Sequence, residues 1–220
     1  MIDVQQGSIP TTWRAADGSA VTFTEARSAW TRAAHEVLAE TATRFNNFIV
    51  NTELAELVQE ESGIRTQVKW QHWLPVVLDR VAEHCHKNNE PPLSALCVRK
   101  NQTVGTGYRY ILELAGLPIP DDLEMHAAAA RWQCYQHYAT DLPADGGLPT
   151  LTPKVAALRQ QTTQALATAE AAEAAEAATK PKRTSASSAR VTVPKPEPVR
   201  KPVCLNCHVE LPANKICYYC

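Results

Sequence analysis

The segment 24-TEARSAWTRAAHEVLAETATRFNNFIVNTELAELVQEESGI-64 predicts a helix, a short strand and a second helix. Thr24 is the expected N-cap of the first helix, whose apolar residues recur at steps of three and four, as on one buried face. The run "NFIVN" is typical of a brief strand. Thr52 is expected to cap the second helix, and Gly63 is expected to end it.

A third helix is predicted in "VKWQHWLPVVLDRVAEHCHKN", where the tryptophans and aliphatic residues keep the helical period. Pro75 belongs in a first helical turn, so the helix is expected to start near His72 or Trp73. Two asparagines end this helix, and the two prolines at 91 and 92 prevent its continuation.

The hydrophobic period then changes. The runs "LSALCVRK" and "YRYILELAG" have strand character, and the loop between them predicts a β-hairpin with a glycine-containing tip. A fourth helix is expected in "DDLEMHAAAARWQCYQHYA", capped by Asp121 or Asp122. Residues 1–23 have no clear period and predict a loosely ordered arm with a short strand at "AVTF".

The character of the chain changes again after residue 150. Residues 154–179 are dominated by alanine with few large apolar residues, which predicts a solvated helical spacer without a coiled-coil seam. Residues 180–203 are rich in proline, serine and basic residues, a composition typical of a disordered, partly extended linker. The expected segments are an arm (1–23), a mixed domain (24–150), a spacer (151–179), a linker (180–203) and a C-terminal module (204–220).

The C-terminal module is "CLNCHVELPANKICYYC", with cysteines at 204, 207, 217 and 220. Each Cys-x-x-Cys turn directs two thiolates to one point, and two such turns complete a tetrahedron around zinc. So short a segment has no room for a core, so the metal must supply the folding free energy. We predict one structural Zn²⁺ bound by Cys204, Cys207, Cys217 and Cys220. Two disulfides, a redox pair, or His208 as a substitute ligand are the alternatives.

Other histidines and cysteines stand close enough in the chain to suggest a second metal site. Adjacent residues on a helix point about 100° apart, so His84, Cys85 and His86 cannot all face one ion. Cys134 and His137 are three residues apart and could share one. The more ordinary interpretation is a buried cysteine beside a surface histidine.

Three features predict a cytoplasmic protein. The other three of the seven cysteines, Cys85, Cys97 and Cys134, lie singly in apolar segments, as buried free thiols do in reducing compartments. The first residues lack the basic start and apolar stretch of a signal peptide. No run of residues is long and apolar enough for a membrane span.

Charge is divided unevenly along the chain. The whole protein carries −1, but residues 1–150 hold 12 Lys and Arg against 18 Asp and Glu, a balance of −6. Residues 151–220 hold 10 basic and 5 acidic residues, a balance of +5. The tail is therefore the part that would attract a polyanion.

The order helix, strand, helix, helix, strand, loop, strand is that of a winged helix-turn-helix domain. The stretch "FIVNTELAELV" resembles the segment of many winged-helix domains in which a short strand leads into an "eLA" helix. The expected fold class is therefore α+β: a winged-helix-like helical domain with a β-hairpin, then an alanine-rich helix, a basic linker and a zinc ribbon or knuckle.

Two longer blocks carry a family resemblance. "WLPVVLDRVAEHCHKNNEPPLSALCVRKNQTVGTGY" resembles a block of bacterial and phage proteins in which a tryptophan-bearing helix leads into "PPL-x-x-L-x-V". The C-terminal module is similar to the zinc-ribbon tail of small uncharacterised actinobacterial and actinophage proteins. The resemblance implies a winged-helix-like domain followed by a four-cysteine ribbon, and it carries over no catalytic residue.

Nucleic-acid binding, by a DNA-binding regulator of host or phage origin, is the leading functional hypothesis. The third helix would enter a major groove, the hairpin would act as a wing, and the linker would attract phosphates. The residues expected to contact nucleic acid are Lys69, Arg99, Lys100, Asn101, Gln102, Arg109, Lys180, Lys182, Arg183, Arg200 and Lys201.

A protein adaptor is the alternative hypothesis. The domain's balance of −6 and the apolar third helix are unusual for a DNA-contacting face. In an adaptor, the globular domain would dock one protein and the zinc module another. The sequence has no nucleophile motif, no acid–base constellation and no phosphate loop, so we expect a non-enzymatic protein with no small-molecule substrate and no membrane partner.

Overall fold

The computed structural model describes residues 10–105 and 107–179, which form a mostly helical α+β structure. The strands are β1 (Thr12–Arg14), β2 (Ile49–Val50), β3 (Ile64–Thr66) and β4 (Cys97–Val98). The helices are α1 (Phe23–Ala42), α2 (Asn51–Glu61), α3 (Leu74–Lys87), α4 (Tyr108–Leu114), α5 (Leu123–Tyr138) and α6 (Pro153–Thr179). Short 3-10 helices span Trp70–His72 and Leu93–Leu96. The mixed α+β class is thus confirmed.

The four strands form two separate pairs. β1 lies antiparallel to β3, and β2 lies parallel to β4, with Ile49 opposite Cys97. Part of the segment predicted as an arm is therefore a paired strand. The strand predicted at "AVTF" is wrong, because only Ala20 pairs there, in a single bridge to Trp13.

The predicted ends of the first two helices need small corrections. Thr22, not Thr24, caps α1: its hydroxyl accepts from the Glu25 N–H, and the Glu25 carboxylate accepts in return from the Thr22 N–H. This reciprocal capping box satisfies two free donors of the first turn. α2 follows directly on β2 without a side-chain cap, so Thr52 lies inside the helix. Gly63 follows its end with a positive φ of 65°, as expected of a helix terminator.

The third helix has the predicted start. α3 begins at Leu74, and Pro75 lies in its first turn, where its missing N–H leaves no partner unsatisfied. The 3-10 turn Trp70–His72 precedes it, so the tryptophan-rich entry is not a continuous α-helix.

The predicted hairpin is wrong. Only Cys97–Val98 of the first run is a strand, and the second run forms helix α4 instead. Tyr108 and Leu112, four residues apart, are the buried residues of α4, which is helical spacing; the β-prone Tyr and Ile residues concealed this period. In place of a two-stranded wing, a tight turn is closed by one bridge between Val98 and Val104.

Two apolar clusters hold these elements together. The major core lies between α1, α2 and α3, where the rings of Trp30 and Trp73 lie 4.4 Å apart and Trp30 Nε1 donates to the carbonyl oxygen of Ile64 at 3.1 Å. The minor core is smaller and contains a single aromatic residue. Its buried members are Ala95, Val104, Tyr108, Leu112, Ala127 and Ala130.

A buried charge lies in α5. Arg131 is only 2% exposed, and neither of its terminal nitrogens has a hydrogen-bond partner among the described residues. Glu124 shares this helix: one of its carboxylate oxygens accepts from the Val104 N–H at 3.0 Å, and the other is buried with no hydrogen-bond partner in the described segments. Burial lowers the pKa of Arg131, and the charge of Glu124 is among the effects that raise it. α5 therefore has no purely apolar buried face.

The start of α6 contacts the domain, although the sequence predicted only a solvated spacer. Val155 is buried, and Arg159 donates to both carboxylate oxygens of Asp122, at 2.8 and 2.6 Å. Asp122 also caps α5 by accepting from the Met125 N–H, which confirms one of the two predicted caps. The described residues up to 174 belong to one compact unit. Within the described segments, no helix is both long and apolar enough to cross a membrane.

Candidate nucleic-acid interface

A groove of about 440 Å³ lies where four segments meet. Its walls come from the start of α2, the 3-10 turn Trp70–His72 with the first turns of α3, the segment from Ser94 to Lys100, and the start of α4. The parallel pairing of β2 with β4 brings the first and third of these together. The groove is therefore a product of long-range contacts.

The basic turn, Arg99–Gln102, borders this groove. Among the described residues that line the groove, Arg99 and Lys100 are the charged ones, and both are exposed. Lys69 is also exposed and directly precedes Trp70, another lining residue. The structure thus brings together three of the cations that the sequence predicted as phosphate contacts.

The backbone of the basic turn has a defined geometry. The Gln102 N–H donates to the Arg99 carbonyl at 2.7 Å, and the Arg99 N–H donates to the Thr103 carbonyl at 2.9 Å. Gln102 has a φ of 65°, so a β-turn is followed by one residue in the left-handed region, a common connection of short hairpins. Lys100 and Asn101 therefore stand at the tip of the turn.

The start of α6 supports this turn from the outside. The Gln102 carbonyl accepts from the Thr152 hydroxyl at 2.8 Å, and the Gln102 side-chain oxygen accepts from the Lys154 N–H at 2.9 Å. Lys154 Nζ also donates to the Lys100 carbonyl at 3.2 Å. Gln102 thus positions the turn through both of its oxygens. Sequence reasoning missed Lys154, because nothing local relates it to a turn some fifty residues away.

The wall of the groove is largely apolar. Trp70 is half-buried and lies beside Leu74 and Leu78 of α3, facing the α4 residues Tyr108 and Ile111 across the groove lining. The sequence placed Trp70 on a buried helical face, but the 3-10 turn leaves part of its ring open. Ser94 also lines the groove, and its hydroxyl oxygen is buried with no hydrogen-bond partner in the described part of the chain.

Acidic residues lie beyond the groove on α3. Burial, and then the charges of Glu83 and Glu113, raise the pKa of Asp79 above its usual range. Glu83 accepts a hydrogen bond of 2.7 Å from the Tyr110 hydroxyl. Arg109 is exposed on α4 and does not line the groove. Asp79 and Glu83 are half-buried, whereas Arg80 and Lys87 of the same helix are exposed.

The three cysteines within the described segments are buried free thiols. Burial raises the pKa of Cys85 to about 11 and that of Cys97 to about 12, which leaves both as unreactive thiols at neutral pH. Cys134 is fully buried while His137 is exposed, so the ordinary interpretation of that pair is confirmed.

The remaining predicted site residues lie outside the described residues. They are the linker cations Lys180, Lys182, Arg183, Arg200 and Lys201, and the zinc ligands Cys204, Cys207, Cys217 and Cys220. Zinc binding by the four cysteines therefore stays a prediction.

In comparisons with known proteins, no protein-family model, no curated protein and no solved structure matches this chain. The functional inference therefore depends on the chemistry of the groove and its rim.

Proposed function

We propose that the protein is a non-enzymatic nucleic-acid-binding protein, a DNA-binding regulator of the cytoplasm, which holds a nucleic-acid strand along the basic turn and groove. One observation carries the proposal. In a domain whose balance is −6, the charged side chains among the described groove-lining residues are two cations, Arg99 and Lys100. The described lining residues include no aspartate or glutamate.

The groove offers the two kinds of contact that a single strand needs. Exposed cations on a rigid turn attract successive phosphates, and a partly open aromatic ring is a stacking surface for a base of any sequence. Arg99 and Lys100 would supply the first contact, with Lys69 beside them, and Trp70 would supply the second. The basic linker would add sequence-independent attraction, and the predicted zinc ribbon would stand at its end.

Insertion of α3 into a major groove is the finer, winged-helix form of this proposal. In that form the basic turn takes the place of the two-stranded wing. The first turn of α3 counts against it, because Pro75 and Val76 are exposed there and neither side chain can hydrogen-bond to a base edge. We therefore favour a strand that follows the basic turn and the groove.

The test is a salt titration of the full chain with labelled single-stranded and double-stranded DNA. Reversing both turn charges, Arg99→Glu with Lys100→Glu, should weaken binding at least about tenfold. It should also reduce the slope of log K against log salt by about 2, one for each lost phosphate contact.

The matched control reverses two exposed arginines away from the groove, Arg32→Glu with Arg44→Glu. This variant has the same net charge as the turn variant. An equal loss of binding in both variants would therefore show that overall charge, and not the basic turn, causes the loss. If the slope of log K against log salt is unchanged in the turn variant, the basic turn is not part of the interface.

A protein adaptor is the second candidate, favoured by the apolar wall of the groove. Leu117 and Ile119, 48% and 59% exposed, add further apolar surface after α4. Such surface is typical of protein-docking sites. Binding of neither DNA form at low salt would favour this candidate over the first.

A further inference from the structure

Three side chains with metal-binding atoms converge at the C-terminal end of α3. They are His35 of α1, His84 of α3 and Glu90 of the segment that follows α3, and one ligand atom of each lies within 4.8 Å of the others. The closest pair is His35 Nε2 and Glu90 Oε2, which are 2.8 Å apart. His35 and Glu90 are fifty-five residues apart in the chain, so no local sequence pattern predicts this cluster.

The end of α3 places Glu90 beside the helix that it follows. Asn89 has a φ of 56°; its N–H donates to the His86 carbonyl at 3.4 Å, and the Glu90 N–H donates to the Cys85 carbonyl at 2.9 Å. These two bonds are those of a Schellman motif, which reverses the chain against the last helical turn. Glu90 is thus brought back alongside His84, which lies in that turn.

The two imidazoles are held in place from separate helices. α1 and α3 pack together in the major core, which sets the rings of His35 and His84 4.9 Å apart at an angle of 79°. The amide nitrogen of Asn88 lies 2.9 Å from Nε2 of His84 and restricts rotation of that ring. The hydrogen bond from His35 lowers the pKa of Glu90, so its carboxylate is ionised at neutral pH.

Solvent reaches the cluster. His84 is exposed, whereas His35 and Glu90 are half-buried. Glu90 also lines an open cleft of about 420 Å³, together with Pro92 and His137 of α5. An ion can therefore enter from this side, and a water molecule has room beside it.

We propose that His35, His84 and Glu90 bind one divalent transition-metal ion of the Zn²⁺ type, with a fourth coordination position open to solvent. Two imidazoles and a carboxylate are a donor set that Zn²⁺ accepts, with bonds of about 2.0–2.2 Å. Tetrahedral geometry at that bond length separates ligand atoms by about 3.3–3.6 Å. Binding of the ion requires the 2.8 Å distance between His35 Nε2 and Glu90 Oε2 to lengthen slightly and the wider separations within the cluster to shorten. Rotation of the side chains can make both changes.

The bound ion links α1, the last turn of α3 and the segment after it. It therefore stabilises the folded chain without any need for nucleic acid, and it is separate from the zinc predicted at the four C-terminal cysteines. The competing description is a plain His35–Glu90 hydrogen bond with His84 packed beside it, which would bind no ion.

The test is metal stoichiometry of the full chain, with Co²⁺ as the visible probe after removal of bound metal by a chelator. Wild type should bind one more equivalent than His84→Ala, whatever the cysteines bind. That extra equivalent should lack a sulfur-to-cobalt charge-transfer band and should persist in Cys204→Ser with Cys207→Ser. Glu90→Gln, which keeps a hydrogen-bond acceptor for His35, should weaken this site at least about 100-fold.

The matched control is His86→Ala, an exposed histidine of the same helix that is outside the cluster. It should keep the full stoichiometry. Zn²⁺ at about a hundred times its dissociation constant should raise the Tm of wild type and of His86→Ala by about 5–10 °C more than that of His84→Ala. Equal stoichiometry and equal Tm shifts in wild type, His84→Ala and Glu90→Gln would overturn the proposal.

Discussion

The two halves of the folded domain differ in the side chains that they bury. The half formed by α1, α2 and α3 buries large side chains, among them Trp30, Trp73 and Leu38, in one continuous cluster. The second half comprises β4, α4 and α5. The minor core beside α4 and α5 is smaller, with three alanines, Val104, Leu112 and one aromatic residue, Tyr108. This half also encloses Arg131, whose terminal nitrogens have no described partner.

We expect the α1–α3 half to supply most of the stability and the boundary between the halves to hold the proposed binding surface. Burial of large apolar surface is the dominant favourable term in folding, so most of the folding free energy should come from the α1–α3 half. The groove takes one wall from α2 and α3 of that half and the other from the basic turn and the short helix α4. Binding surfaces are commonly placed on such short segments, next to a rigid support.

Removal of a tryptophan from each half should show this asymmetry most strongly. Trp30→Ala should lower the free energy of unfolding by about 3–5 kcal/mol, because Trp30 is fully buried and loses both ring contacts and a hydrogen bond. Trp132→Ala, on α5, should cost about 1–2 kcal/mol, since Trp132 also loses a hydrogen bond, to the Gly146 carbonyl, but its half-buried ring loses less burial. Urea unfolding followed by circular dichroism measures both. Equal losses would mean that the two halves share the stability evenly.

The buried arginine offers the next largest effect. Arg131→Met should raise the free energy of unfolding by about 1–2 kcal/mol, because an apolar side chain of similar length replaces a buried charge without a described partner. Arg131→Lys is the matched control: it keeps the charge, and we expect no gain. The same urea titration applies. A loss of more than about 1 kcal/mol in Arg131→Met would show that bound water or another group satisfies the guanidinium.

The same division explains what the sequence could predict. α1, α2 and α3 were predictable because large apolar residues keep a helical period up to recognisable stops, although both predicted N-caps were wrong. In the second half, α5 was predictable, and its cap Asp122 is the expected one. α4 was not, because its seven residues include β-prone tyrosine and isoleucine and its helical period shows only in Tyr108 and Leu112. Local composition is a weak guide where tertiary contacts decide the outcome.

The candidate sites divide in a similar way. The cations of the basic turn stand next to one another in the chain, so the sequence identified Arg99 and Lys100 directly. Lys154 supports the basic turn, and His35 contacts Glu90, because segments that are distant in the sequence pack together. No periodicity encodes such contacts, and a single sequence without its fold cannot reveal them.

The smallest expected effect concerns the contact of α6 with the second half. Arg159 holds the pKa of Asp122 at about 2, below the value of about 3.9 for an unfolded chain. A depressed folded-state pKa contributes stability that is complete above the unfolded pKa and is lost as pH falls toward the folded one. Arg159→Gln should therefore lower the Tm at neutral pH, and this difference should shrink between about pH 4 and pH 2.

The size of that difference should be no more than a few degrees, because both side chains are substantially exposed, at 42% and 46%, and solvent screens the pair. Melting curves of wild type and Arg159→Gln at neutral and acidic pH, each with and without added salt, measure it. A Tm difference that persists at low pH and high salt would assign the docking of α6 to the packing of Val155 instead of to the ion pair. The second half would then depend on apolar contact with α6, and it would resemble the first half more closely than its own small core suggests.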